Sequence, residues 1–213
     1  MKIEVMTLFP EIVTAALGLS IPMRAQAAGV LLLKTCQLRD FAADKHGTVD
    51  DKPHGGGPGM ILRVDIADRA FRSLDRHHQA HRVMLTPSGE QLNQPMLEKL
   101  AKYDRIIILC GRYEGFDARI DKYIDQKISV GPYVLSGGEP AAIILVDAIS
   151  RLLPGVLGNE ASLVEETHTD SRQEYPQYTR PDEYDGQSVP PILKTGHHQQ
   201  IEDWRRAQQS PLN

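Results

Sequence analysis

Apolar residues along this chain fall into short runs punctuated by glycine and proline, and the runs alternate between two periods. Ile3, Val5 and Leu8 mark an opening strand. Pro10 starts a short helix through Ala15 and Ala16, which Gly18 can stop. Val30 to Leu33 reads as a second strand. From Arg39 to Gly59 the apolar period disappears over a stretch too long for a mere connection, which marks a functional or disordered loop. Ile66, Ala67, Ala70, Phe71 and Leu74 then recur at helical spacing.

The centre is the most legible part. Val83 to Leu85 is a strand predicted to end in Thr86-Pro87-Ser88-Gly89. Asn93 is a candidate N-cap for a helix with Met96, Leu97, Leu100 and Ala101 on one face. Ile106 to Cys110 is continuously apolar, as a strand buried on both faces must be. It runs into Gly111-Arg112-Tyr113-Glu114-Gly115. Ile128 to Val130 predicts a further short strand, followed by Gly131-Pro132-Tyr133-Val134-Leu135-Ser136-Gly137-Gly138. A long apolar helix is predicted over 139–152, stopped by Pro154 and Gly155. Strands alternating with helices predict an α/β fold with a mostly parallel sheet. Past Gly158 the chain turns polar, which reads as a linker and a small appendage with one amphipathic helix near His198 to Gln208.

Composition adds exclusions. The chain has 213 residues, with 24 Lys+Arg against 28 Asp+Glu. That length suits one large domain, or one domain with an appendage. The slight acidity argues against gross nonspecific binding of nucleic acid but leaves room for a local basic site. Candidates for such a site are Lys45, His46 and Lys52, and in the tail Arg180, Lys194, Arg205 and Arg206. The longest apolar stretch, Ala141 to Val146, falls far short of the ~20 residues a membrane span needs. Charged Lys2 and Glu4 break up the apolar start, so no signal peptide is expected and the cytoplasm is the default location. Cys36 and Cys110 alone make neither a disulfide framework nor a four-ligand zinc site.

Three successive strands thus end in loops containing glycine. In parallel sheets ligands sit at the carboxyl ends of the strands, and glycine lets backbone groups approach them closely. Any one such loop is adequately explained as a turn. Three on neighbouring strands favour a site, with apolar walls from Leu85, Val130, Tyr133 and Leu135. The dinucleotide, P-loop, zinc-protease and nucleophile-elbow signatures are all absent from the sequence. Gly55-Gly56-Gly57-Pro58-Gly59-Met60 is the most unusual string, and a tight loop at a subunit contact explains it at least as well as a ligand role. Asp147 and Arg151 are spaced for an i, i+4 ion pair on the long helix. Arg151 could equally face an anionic substrate. Glu165 and Glu166 in the linker are solvated carboxylates, or one of them is a general base if the linker orders over a substrate.

Taken together, several strings resemble the bacterial tRNA (guanine-N1)-methyltransferase family, TrmD. They are Asp50 to Met60, Leu109 to Gly115, Val130 to Glu139 and Arg151 to Gly158, with Thr7-Leu8-Phe9-Pro10-Glu11 and Tyr178-Thr179-Arg180-Pro181 fitting as well. The resemblance implies a SPOUT-type parallel sheet with a deep trefoil knot in residues 1–158, a linker over 159–180 and a shortened tRNA-binding appendage over 181–213. It implies a homodimer that transfers a methyl group from S-adenosylmethionine to N1 of the guanine 3′ of the anticodon, position 37 of tRNA. A magnesium dependence stays open. Residue by residue, the implied donor site comprises Leu85, Thr86, Pro87 and Ser88; then Gly111, Arg112, Tyr113 and Glu114; then Val130, Gly131, Pro132, Tyr133, Val134, Leu135, Gly137 and Gly138. Arg151 and Glu166 are the implied catalytic pair. Glu166 stands where the family usually has aspartate, Pro132 where it often has an acidic residue, and His54 where it has tyrosine. A donor-binding RNA-binding relative, or a methyltransferase of this fold acting on another RNA, is the alternative.

Overall fold

The short apolar runs become parallel strands because each is followed by a segment able to cross back over the sheet. The computed structural model describes residues 1–157 and 174–209. The chain divides into two compact units, Met1–Gly158 and Asn159–Asn213.

In the first unit β1 (Lys2–Thr7) is followed by α1 (Pro10–Leu17), α2 (Ser20–Ala27) and β2 (Leu32–Gln37). Two short strands, β3 (Asp50–Asp51) and β4 (Ile61–Leu62), pair antiparallel within the long loop region. Then come α3 (Val64–Leu74), β5 (His81–Gln91), α4 (Gln94–Leu100), β6 (Arg105–Cys110), β7 (Gln126–Ser129) and α5 (Glu139–Leu152). The main sheet has five strands in the order β2-β1-β6-β5-β7, all parallel. The connection from β6 to β7 steps across β5, and a 3-10 turn, Ala118–Tyr123, lies within it.

Alternation along the strands builds two cores. Ile3, Val5, Val83, Leu85, Ile106, Ile108, Cys110 and Ile128 face α1, α2, α4 and α5. Met6, Met84, Ile107 and Leu109 face Ile66, Ala67, Ala70 and Phe71 of α3. Each fully buried isoleucine of β6 contributes about 1.5–3 kcal/mol relative to exposure, and both faces of that strand collect it. Below α3, Asp75 ties the helix end to β5. It accepts hydrogen bonds from Gln79 N–H (2.9 Å) and Ala80 N–H (3.1 Å) and pairs with the buried Arg82 guanidinium at 3.1 Å. Burial works to raise the Asp75 pKa, but these donors outweigh it and hold the carboxyl below its usual range.

Several boundaries differ from the sequence expectation. The strand expected at Val30 starts at Leu32, because Val30 and Leu31 both donate their N–H to Ala25 O at 3.1 Å, closing α2. Helix α2 itself was not anticipated. The strand expected to stop at Thr86 continues to Gln91: Leu85 and Glu90 both pair with Ile128, so Thr86 to Gly89 bulges out of β5 without ending it. Asn93 does cap α4, its side chain accepting Met96 N–H at 2.9 Å.

In the second unit the described residues form a hairpin, β8 (Glu183–Tyr184) and β9 (Gln187–Ser188), a 3-10 turn, Pro191–Lys194, and α6 (His198–Gln208). Trp204 of α6 meets Tyr178 with ring centroids 6.3 Å apart, and Arg205 lies over Tyr175 at 4.8 Å.

Candidate functional site

The bulge in β5 and the ends of β6 and β7 open on the same edge of the sheet, where parallel strands present their carboxyl ends. Between them is a cavity of about 430 Å³, within the ~300–1,000 Å³ of small-molecule sites. Met84 to Ser88 form one wall, Gly111 to Phe116 a second, and Lys127 to Val130 with Tyr133 to Gly138 a third; Ala141 comes from the first turn of α5. Tyr113, Tyr133 and Leu135 remain 38–51% exposed at the rim.

Backbone contacts lock two of these walls together. Gly138 N–H donates to Gly111 O at 2.8 Å, and Arg112 and Gly137 form an antiparallel bridge. The approach is so close that a Cβ on Gly138 would stand 2.7 Å from Cys110 Cα and 2.8 Å from Gly111 N. Only glycine fits there. In the third wall Ser129 Oγ donates to Gly131 O at 2.9 Å and Tyr133 O–H donates to Val130 O at 3.2 Å, which closes the turn after β7.

Behind the second and third walls lies Glu139, 1% exposed at the start of α5. Thr7 O–H donates to its Oε1 at 2.6 Å. Its Oε2 makes no hydrogen bond among the described residues, and Arg112 Nη1 stands 3.7 Å away. The Arg112 guanidinium also lies over the Phe9 ring at 4.7 Å, while Phe9 N–H donates to Thr7 Oγ1 at 3.0 Å. The end of β1, the loop after β6 and the start of α5 are thereby joined through one buried carboxylate. Burial, and then the Glu139 charge, push the neighbouring Cys110 thiol well above its usual range.

Of the residues named from sequence, Leu85, Thr86, Pro87, Ser88, Gly111, Arg112, Tyr113, Glu114, Val130, Tyr133, Val134, Leu135, Gly137 and Gly138 line this cavity. Gly131 and Pro132 do not; they form the turn behind Tyr133, whose N–H donates to Gly131 O at 2.9 Å. Arg151 is half-buried in the last turn of α5, away from the cavity wall, and Asp147 one turn earlier is exposed. Glu165, Glu166 and Asp170 lie outside the described residues. Phe116, Ile120, Asp121, Ser136 and Ala141 are among the lining residues that sequence reasoning missed. Ser136 sits inside a glycine string already singled out, and Phe116 directly follows another, so both carried a readable signal. Ile120 and Asp121 come from the 3-10 turn, which had none.

The chain matches the family described as tRNA (Guanine-1)-methyltransferase TrmD over residues 1–211. The chain belongs to the TrmD family. A tRNA (guanine-N(1)-)-methyltransferase of Carboxydothermus hydrogenoformans is 42% identical over 214 residues, covering 100% of this chain and 84% of the relative. The protein of that name in Chelativorans sp. is 46% identical, covering 99% and 91%. One in Mesorhizobium japonicum is 45% identical, covering 99% and 92%. A methyltransferase of this family implies an S-adenosylmethionine donor. No helix among the described residues is long and apolar enough to cross a membrane.

Proposed function

We propose that this chain methylates N1 of guanine 37, immediately 3′ of the anticodon in tRNA, with S-adenosylmethionine held in the strand-end cavity. The observation that carries this reading is the cavity itself, built from three glycine-bearing strand ends, in a chain of the TrmD family. Its residues fit such a donor. Leu85, Val130 and Leu135 supply apolar wall, backbone groups at Gly111 and Gly138 come close where no side chain intervenes, and Glu114 offers a carboxylate to a cationic ligand. When bound, the donor supplies a methyl carbon already made electrophilic by its sulfonium, so the chain's main task is positioning.

The remaining chemistry falls to the protein. Guanine N1 carries a proton and is a poor nucleophile until that proton leaves. Glu166 is the proposed acceptor, with Glu165 and Asp170 as neighbouring alternatives. Arg151 stabilises the negative charge that develops towards O6. Tyr113, Tyr133 and Leu135 at the rim shield the reacting centre from water.

The rise of about 1.5 Å per residue puts Arg151 roughly 18 Å along α5 from Glu139 and roughly 15 Å from Ala141 on the cavity wall. That separation supports a homodimer in which Arg151 of one copy serves the cavity of the other, in a two-fold arrangement. The same reading includes a SPOUT-type trefoil knot through the three cavity loops, consistent with a β6–β7 connection that crosses β5. Residues 159–180 then act as a linker and 181–213 as a tRNA-contacting appendage, and the site of action is the cytoplasm. Among the described residues no group of three or more His, Cys, Asp or Glu is arranged to hold a metal.

Transfer of tritiated methyl to tRNA transcripts carrying guanine or adenine at position 37 tests this reading, with and without magnesium. Label is expected in the guanine transcript alone. Label in neither transcript, with donor still bound, would favour a binding relative; equal label in both would point to a different target base.

A further inference from the structure

The glycine run ahead of β4 does not stand apart from the cavity. Glu114 N–H donates to Met60 O at 3.0 Å, Leu62 N–H donates to Gly115 O at 2.8 Å, and Asp117 N–H donates to Leu62 O at 3.0 Å. Leu62 also pairs with Phe116 in a parallel bridge. The segment 59–62 is therefore stitched along the second wall of the cavity. At its start, Gly59 lies directly against the side chain of Glu114. A Cβ on Gly59 would overlap Glu114 Oε1 and stand 2.5 Å from its Cγ and 2.8 Å from its Cδ.

Those atoms run from the Cγ to the carboxylate of one flexible side chain. Adding a Cβ at Gly59 would push the carboxylate aside. Glu114 is exposed, so without a surface to lie on it would spread over several rotamers, and ordering it on binding would cost entropy. We propose that Gly59 is a positioning residue: its bare α-carbon provides the space in which the Glu114 carboxylate lies ready at the cavity wall for the positive charge of the methyl donor. This rests on the reading of the cavity as the donor site.

Gly59 also has a φ of +78°, which would strain any other residue whatever the space around it. The molecule contains its own control. Gly56 has a φ of +81° and nothing within 4 Å of its would-be Cβ. Gly56→Ala therefore carries the backbone penalty without touching Glu114.

The test is S-adenosylmethionine affinity, measured by calorimetry on the full chain, for Gly59→Ala, Gly56→Ala, Glu114→Ala and the double variant Gly59→Ala/Glu114→Ala. Loss of an oriented charged contact predicts donor binding weaker by about tenfold or more for Gly59→Ala and for Glu114→Ala. Gly56→Ala should change it by less than about threefold, with a melting temperature close to that of Gly59→Ala. The double variant should bind no worse than Glu114→Ala alone, since there is no longer a carboxylate to displace. The proposal is overturned if Gly59→Ala binds as well as Gly56→Ala, or if its loss adds in full to that of Glu114→Ala. If Glu114→Ala alone leaves affinity unchanged, the donor-site reading of this wall falls as well. Should Gly59→Ala fail to fold while the double variant folds, the contact is supported. If neither folds, Gly59 is structural and the proposal is wrong.

Discussion

Gly138→Ala adds one methyl group at the tightest contact in the cavity. Gly138 has a φ of −80°, which alanine adopts freely, so any effect comes from space. The new Cβ would stand 2.7 Å from Cys110 Cα, where ordinary contact begins at 3.4 Å. The start of α5 and the end of β6 must then part by roughly 0.7 Å, and neither is a side chain able to rotate away. Overpacking of this kind costs about 1–3 kcal/mol. The parting also stretches the 2.8 Å hydrogen bond from Gly138 N–H to Gly111 O, which adds about 0.5–1.5 kcal/mol. A total near 2–4 kcal/mol lowers the melting temperature by about 4–16 °C for a chain of this size. If half of that strain is felt only when the donor presses the walls to their native spacing, affinity falls about tenfold. Differential scanning fluorimetry reads the first quantity and calorimetric titration with S-adenosylmethionine the second. A lower melting temperature with unchanged affinity would leave the wall contact standing and move the donor elsewhere. No change in either would mean that the two walls do not touch as described.

Three further outcomes are expected. Thr7→Val removes the hydroxyl that donates to the buried Glu139 carboxylate, so thermal melts should show a loss of about 1–3 kcal/mol; full stability would mean that Glu139 has another donor. The N–H groups of Gln79 and Ala80 and the Arg82 guanidinium hold the Asp75 carboxyl below the usual carboxylate range, so it stabilises the fold fully above about pH 4, and that contribution is lost as pH falls through the folded value. Asp75→Asn should therefore lower stability at pH 7 and shrink the acid-dependent part of urea midpoints measured from pH 5 down to 2.5; an unchanged acid slope would contradict the hold of Gln79, Ala80 and Arg82 on this carboxylate. In single-turnover methyl transfer, Glu166→Gln should slow chemistry by about 10²–10⁴-fold with donor affinity kept. If Glu165→Gln or Asp170→Asn is slow instead, the base is misassigned, and if none is slow the carboxylate mechanism fails.

Sequence legibility followed how local the determining forces were. Helix α5 has the predicted bounds, since Pro140 can only sit in a first turn and Pro154 stops the helix. The both-faces-buried strand at Ile106 to Cys110 was equally plain. Helix α2 was hidden because Pro22 reads as a breaker, yet in the first turn its missing N–H has no helical partner to lose. The continuation of β5 beyond Pro87 was hidden for a different reason: the pairing of Glu90 with Ile128 depends on a strand far along the chain, which no local pattern encodes. The site followed the same division. Glycines at strand ends announced the cavity walls, whereas the contact of Gly59 with Glu114 and of Thr7 with Glu139 joins residues 55 and 132 positions apart, visible only once folded.

The order of the strands also bears on how the chain meets the ribosome. Strand β1 pairs with β2 on one side and β6 on the other, and β6 is made about a hundred residues later. At ~5–20 residues per second, roughly 5–20 s pass between the appearance of β1 and that of its second neighbour. During that interval one edge of β1 has no strand to pair with, and the apolar Ile3 and Val5 on its face lack the neighbours that β6 later brings. Distant parallel pairing of this sort is intrinsically slow and exposes sticky edges while it waits. The opening segments α1 and α2, which follow β1 at once and bury Val13, Leu17 and Ala25 in the same core as Ile3 and Val5, are thus placed to shelter the first strand until the sheet can close around it.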